Sequence, residues 1–446
     1  MPPDPAIRSA SVRRVTASAP AAPPPLAEPL EGRPQDPETT KAVGLAVATL
    51  AANLVAIVFT VIFTRLLGTD GYGSLAALLN LSVILYVPGS ALQVAAARAG
   101  AVGHLGGGGE LAGTLSRWTR HVIGVLVVVA VLSILAREPL AALLNIDQAW
   151  GAAAVPATGV MWLLLCLQRG LLAATRSYRA VGLSVVLEAL GRLAVGALFV
   201  AAGLGVTGAY LGTLASLGLA AIVLDRLLRR RLGPPEPGAA QHPLRALALD
   251  AALPIAALTL VAALQNVDVI MAKHALSEDA AGIYAATTVA AKAVVWIAIG
   301  LGMWVAPEAT RRAAEGRDPR GVLVRALAVI AVVSAGALAV FAAVPGLLLR
   351  TAFGAEFEAG DAILLTLGAA YALLAASYLG VQFLLGLRRR VFMVVLALAA
   401  VAEPILLSGA NDPERFASVV LAVQAAAALA VLAAAATIRT GWARAR

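Results

Sequence analysis

Charge is what this chain has least of. Only 13% of its 446 residues are Asp, Glu, Lys or Arg, against 60% apolar, and the mean hydropathy is +0.87. A soluble domain carries about 25% charged residues, so a soluble globular chain is excluded. Cysteine is nearly absent: Cys166 stands alone in an apolar run, which rules out an intrachain disulfide. The four histidines are isolated and form no metal-ligand spacing, so no metal is expected. No Gly-x-x-x-x-Gly-Lys-Ser/Thr loop occurs, and the glycine run Gly106 to Gly109 is not followed by the lysine and hydroxyl that phosphate binding needs. Enzyme motifs are missing, and no cofactor is expected. The net charge of +9 does not point to nucleic acid, because the basic residues lie in short clusters between apolar runs.

Those apolar runs organise the chain, and the clearest pair lies between Lys41 and Gly100. Residues 42–64 and 75–97 carry no charge, and each run is long enough as a helix to cross a hydrocarbon layer of about 30 Å. Between them sits Arg65-Leu-Leu-Gly-Thr-Asp-Gly-Tyr-Gly73. A second copy follows in residues 253–272 and Lys273-His-Ala-Leu-Ser-Glu-Asp-Ala-Ala-Gly-Ile-Tyr284. Both read as helix, basic residue, acidic and glycine-bearing turn, tyrosine, helix. The hydropathy predicts about twelve spans, near 42–64, 75–97, 119–136, 149–170, 180–202, 206–224, 251–272, 281–306, 322–345, 362–385, 391–408 and 416–437.

The duplicated hairpin divides these spans into six and six. The expected organisation is a disordered tail over 1–40, a first half over 41–231, a basic, proline-rich linker over 232–246, a second half over 247–440 and a short end over 441–446. Arginines crowd alternate loops, as at Arg229-Arg-Arg231 and Arg388-Arg-Arg390, while Asp70, Glu278, Asp279, Glu356 and Glu358 lie in the others. This bias predicts both termini in the cytoplasm. Each half starts on the same side, so the repeat is parallel, with an axis along the membrane normal. An all-α, two-lobed transporter with a central cavity is the expected architecture.

Ionisable groups within a membrane are costly and mark candidate sites. Glu188 and Arg192, four apart in the fifth span, share a helix face. They form either a structural ion pair or a switchable one that releases Arg192 to an anionic substrate. Asp268, beside Gln265 and Asn266, reads as a cavity wall or a cation or proton site. Lys292 lies deeper than Asp268 by roughly 10 Å at 1.5 Å per residue, so a direct pair requires the lysine to stretch. Arg65 and Lys273 hold matching places and either snorkel or form an anion-binding gate. Asn53 and Asn80 add polar atoms to the first hairpin. Glu403, beside Pro404, has no partner legible in the sequence.

Phe63-Thr-Arg-Leu-Leu-Gly-Thr-Asp-Gly-Tyr-Gly73, Arg169-Gly-Leu-Leu-Ala-Ala-Thr-Arg-Ser-Tyr178, Asn266-Val-Asp-Val269, Ala281-Gly-Ile-Tyr284 and Leu347-Leu-Leu-Arg-Thr-Ala-Phe-Gly354 resemble the polysaccharide biosynthesis proteins, the Wzx-like oligosaccharide flippases. The likeness runs from about 42 to 440. It implies the MATE-like fold of the multidrug/oligosaccharidyl-lipid/polysaccharide (MOP) exporters, two six-helix lobes around a cleft lined by the first, second, seventh and eighth spans. It also implies a bacterial inner-membrane protein that carries a polyprenyl-diphosphate-linked saccharide across the lipid bilayer. Arg65, Arg192, Lys273 and Lys292 are then the cleft cations, and Asn53, Asn80, Gln265 and Asn266 its polar wall. Asp268 and Glu188 are the ion-coupling candidates for a proton or sodium gradient. A polysaccharide polymerase or glycosyltransferases are the protein partners that such a role suggests. The competing reading is a drug or small-molecule antiporter of the MATE kind on the same fold. A major facilitator ranks lower, since its Gly-x-x-x-Asp-Arg-like second loop is missing. A membrane glycosyltransferase would want a larger outer loop.

Overall fold

The computed structural model describes residues 37–236 and 242–437, and every regular element among them is helical. Most of the 1–40 tail, the middle of the 232–246 linker and the 441–446 end lie outside the described residues. The first two spans run on as α1 (Pro37–Ala101), interrupted only at Gly68, where φ is 68° and ψ −171°. Glycine enters that region without a Cβ penalty, so the expected loop is a one-residue break and Thr69 to Gly73 are already helical.

There follow α2 (Gly108–Leu135), α3 (Arg137–Leu144), α4 (Ala149–Ala174), α5 (Tyr178–Phe199), a π-helical turn (Val200–Leu204) and α6 (Gly205–Leu232). The second half holds α7 (Leu244–Asp250), α8 (Ala252–Ala275), α9 (Glu278–Ala291), α10 (Ala293–Ala314), α11 (Arg320–Ala343) and α12 (Pro345–Ala352). It ends with a 3-10 turn (Ala355–Gly360), α13 (Asp361–Gly386), α14 (Phe392–Leu407) and α15 (Pro413–Ala436). Among the described residues nine helices are long and apolar enough to cross a membrane. Two of these are 55-residue runs, Val47–Ala101 and Tyr178–Leu232. Gly68 breaks the first; Gly203 (φ 87°) and Gly205 (φ 50°) break the second.

Three expectations change. The span placed at 119–136 begins at Gly108, and Arg117 and Arg120 lie on an exposed face of the helix, from which long basic chains reach toward water. The span placed at 281–306 is two helices, α9 and α10, parted at Lys292. The loops expected on the acidic side contain short helices, α3 and α12.

The buried side chains fall into clusters that follow the sequence halves. One is built from residues 257–435, with Tyr72 and Ala76 reaching in from α1. The other two come from residues 59–251. The opposite faces stay apolar: Val127, Val128, Leu132 and Leu135 on α2, and Val394, Leu398, Val401 and Ile405 on α14, are all exposed. In a bilayer acyl chains cover such faces at no hydrophobic cost. The chain is a multi-pass membrane protein.

Candidate functional site

The two copies of the loop motif face each other. Thr69 Oγ1, just past the α1 bend, donates to the Asp279 carboxylate at the start of α9. There Ser277 caps the helix by accepting from the Ala280 amide. One turn on, a Cβ added to Gly73 would stand 3.1 Å from the Gly282 nitrogen, and one added to Gly282 would collide with the Thr69 carbonyl. Only backbone fits between these helices. Around this seam Arg65 donates to the Thr351 carbonyl at 3.1 Å, Asn145 Nδ2 to the Lys273 carbonyl at 2.7 Å, and His274 bonds the Leu143 carbonyl. The Tyr72 ring meets Phe357 edge-on at 6.3 Å.

Lys273 does not snorkel. Its side chain is buried and its Nζ lies 3.3 Å from Glu278 Oε1. Arg65 is exposed but tied to α12. The two matching cations are therefore engaged within the seam.

About two helical turns from the seam, roughly 10 Å along the axis, a second contact joins the halves. Lys292, buried at the α9–α10 break, donates from Nζ to Asn80 Oδ1 of the first half at 2.9 Å and to Asn266 Oδ1 of the second at 3.3 Å. Each amide is oriented by its own helix: Asn80 Nδ2 donates to the Ala76 carbonyl and Asn266 Nδ2 to the Ala262 carbonyl. Both side-chain oxygens are thereby turned toward the lysine. The Tyr371 ring centroid lies 5.3 Å from Nζ.

The Tyr371 hydroxyl leads on to the carboxylates. It donates to Asp268 Oδ2 at 2.6 Å, and Tyr284 donates to the same oxygen at 3.0 Å. Asp268 Oδ1 is buried without a partner, as are both oxygens of Glu403 and Oε1 of Gln424. The Gln424 amide nitrogen is spent on the Leu264 carbonyl at 2.8 Å. Asp268 and Glu403 are each 0% exposed, and unpaired buried acceptors of this kind are costly. A proton or a hard monovalent cation would satisfy them. Asp268 thus meets Lys292 through Tyr371 rather than directly. Glu403, Tyr284, Tyr371 and Gln424 come from four further helices, so no spacing in the sequence could have assembled them; only the buried, prolyl-flanked position of Glu403 hinted at a role.

The first half holds a separate cluster. Glu188 faces Arg169 at 3.9 Å rather than Arg192, because Arg169 is held in place by Ser184: Nε donates to Oγ at 3.0 Å and Nη2 to the carbonyl at 3.1 Å. Arg169 lies over Trp162, which stacks on Tyr86 at 4.6 Å. Arg192 rests its guanidinium 4.9 Å from the Phe59 ring centroid, and its Nε has no acceptor. Asn53 is exposed and Gln265 half-buried, the latter accepting through its backbone carbonyl from Tyr371 at 3.4 Å. The sequence candidates therefore fall into three groups: Arg65 and Lys273 in the seam, Lys292 with Asn80, Asn266 and Asp268 below it, and Glu188 with Arg192 inside the first half. Among the described residues no three His, Cys, Asp or Glu side chains gather into a metal-binding set.

The comparisons with known proteins agree with this architecture. A family model described as "Polysaccharide biosynthesis protein" matches residues 39–306. An inward-facing multidrug resistance MATE family transporter of the MOP superfamily superposes with a TM-score of 0.71 at 12% identity, over 89% of this chain and 97% of that one. Lipid II flippase MurJ, in an inward closed conformation, gives 0.68 at 11% identity, covering 89% and 88%. A MOP superfamily transporter from Pyrococcus furiosus gives 0.51 at 14%, covering 90% and 95%. No curated protein matches the sequence.

Proposed function

Because this chain belongs to the polysaccharide biosynthesis protein family, we propose that it moves a polyprenyl-diphosphate-linked saccharide from the cytoplasmic to the outer leaflet of a bacterial inner membrane. It is a membrane flippase or transporter with the MOP-superfamily fold. The task is physical and needs no covalent chemistry: a diphosphate sugar cannot enter hydrocarbon unaided, whereas its polyprenyl tail can stay in lipid.

The observation that carries this reading is a seal at one end of the two halves with a lysine bridge beneath it. Thr69, Asp279, Gly73 and Gly282 close one end, and Lys292 joins Asn80 and Asn266 below. With the termini cytoplasmic, the seam is the outer gate and the structure is the inward-facing state. Arg192, with an unused Nε–H, offers the planar donor set that suits phosphate oxygens. Lys292 anchors the bridge below the gate, and Arg65 and Lys273 come into play when the gate parts. Asp268 and Glu403 take up the proton or sodium ion that drives the cycle. A polymerase or glycosyltransferases act before and after it.

The test is a lipid analysis of a deletion strain, with leaflet orientation probed by an impermeant sugar-modifying enzyme. A polyprenyl-diphosphate saccharide trapped on the cytoplasmic face supports the proposal. Unchanged lipids with altered tolerance to cationic drugs would instead support the MATE-type antiporter. The carboxylate between Tyr284 and Tyr371 favours that second reading, since aromatic rings and an acid suit an organic cation.

A further inference from the structure

We infer that Lys292 is a tethered counter-ion that competes with the coupling cation for Asp268 and Glu403, and that its bond to Asn80 exists only while that cation is bound. The inference rests on the ion-coupled reading above and deepens it by naming what links ion occupancy to the gate.

The geometry is that of an exchange. The lysine head group sits among neutral partners, Asn80, Asn266 and the Tyr371 ring. The hydroxyl of that ring is bonded to Asp268 at 2.6 Å, and a second buried carboxylate, Glu403 of α14, has no hydrogen-bond partner. Asn266 belongs to the same helix as Asp268, two residues before it, so the ammonium and that carboxylate lie at similar depth. Two acids and one lysine leave the pocket one negative charge out of balance when both acids are ionised. One monovalent positive charge restores balance and leaves the lysine free to point at Asn80. Without it, the nearest mobile cation is Lys292 itself, on a flexible four-carbon stem, and the low dielectric makes its attraction to the bare acids strong.

The consequence falls on the other half. Asn80 is the first half's contact with this lysine, and it lies about two turns from Gly73 on the same helix. When Lys292 turns inward to the acids, the bridge below the seam is gone and the halves are held at that end by the seam alone. Ion arrival from outside then re-forms the bridge and closes the gate. Ion departure to the cytoplasm releases it. The order fits export against an inward ion gradient.

The experiment pairs a cation isotherm with a distance. Spin labels at Leu66→Cys and Leu347→Cys, both exposed at the seam end in different halves, report its opening in lipid nanodiscs; buried Cys166 needs no replacement. Sodium is titrated at fixed pH, and proton uptake is followed separately with an indicator dye, so that the arms distinguish the two ions. In the wild type, cation binding should shorten the label distance. Lys292→Met should bind the cation about tenfold more tightly or better, since a competing charge is removed, and its label distance should no longer respond. Lys292→Arg should restore the response in part, and Asn80→Ala should lose the response and bind the cation more weakly, since the bridge that favours the ion-bound state is gone. A Lys292→Met protein with unchanged affinity and an intact distance response would overturn the inference alone. A wild type that responds to neither ion would overturn the ion-coupled reading and the inference with it.

Discussion

Gly73 and Gly282 lie back to back across the seam, so close that a methyl on the first would stand 3.1 Å from the backbone nitrogen of the second. The contact is made by backbone, and no side chain can replace it. Gly282→Val should therefore hold the gate ajar, since its Cβ runs into the Thr69 carbonyl. Spin-label distances across the seam should lengthen and complementation of a deletion strain should fail, while the protein still inserts and expresses. Wild-type distances in the variant would refute the assignment of this seam as a gate.

The two arginines of the first half should separate by phenotype. Arg169→Ala strips the half-buried Glu188 of its partner at 3.9 Å and leaves Ser184 without its guanidinium, which should appear as a lowered unfolding temperature in detergent. Arg192→Ala removes a guanidinium with an idle Nε and should leave unfolding nearly unchanged while sugar lipid accumulates on the cytoplasmic face. The reverse pattern would assign the substrate role to Arg169.

Asp268 and Tyr371 share a 2.6 Å hydrogen bond. Asp268→Asn should abolish ion-driven flipping in proteoliposomes while sugar-lipid binding persists. Tyr371→Phe should tighten cation binding about tenfold, because the empty carboxylate loses one charge-assisted hydrogen bond. Full activity of Asp268→Asn would remove this carboxylate from the coupling scheme.

Lys273 and Arg65, matched in the repeat, should respond unequally to substitution. Arg65 is exposed and bonded to one carbonyl, so Arg65→Ala should cost less than about 1 kcal/mol. Lys273→Ala removes a buried ammonium from Glu278 and should destabilise more. Thermal unfolding of both variants, read side by side, checks the order.

Gly68 offers a cleaner test of backbone strain. A Cβ there meets nothing within 4 Å, yet φ is +68°. Gly68→Ala should cost about 1–2 kcal/mol from conformation alone, visible as reduced thermal stability with no change in packing.

The spans were legible because hydrocarbon imposes one rule on every crossing segment: apolar, uncharged and long enough. The duplicated hairpin was legible because Arg65 and Lys273, and the acid, glycine and tyrosine after each, keep their order. Three features were not. The break at Lys292 carries no proline or glycine signal. Helical spacing placed Glu188 with Arg192, but Ser184 orients Arg169 toward it from another helix, and no rule of sequence anticipates that. Glu403 looked solitary because its companions, Asp268, Tyr284, Tyr371 and Gln424, are scattered from residue 268 to residue 424 and meet only once α8, α9, α13, α14 and α15 have packed.

The link between the halves has a mechanical corollary. Its two described flanks are both fastened to α2: the Glu236 amide donates to the Gly109 carbonyl at 3.3 Å, and Trp118 Nε1 donates to the His242 carbonyl at 2.8 Å. Beyond it, α7 buries Leu247 among first-half side chains, and Ala251 joins them. The covalent crossing is thus packed with the first half as far as the turn at Ala251, where α8 starts. Rocking of one half on the other would swing about this single helix root, which makes α8 a lever whose fulcrum lies near Ala251 and whose far tip carries Asp268 and Lys273.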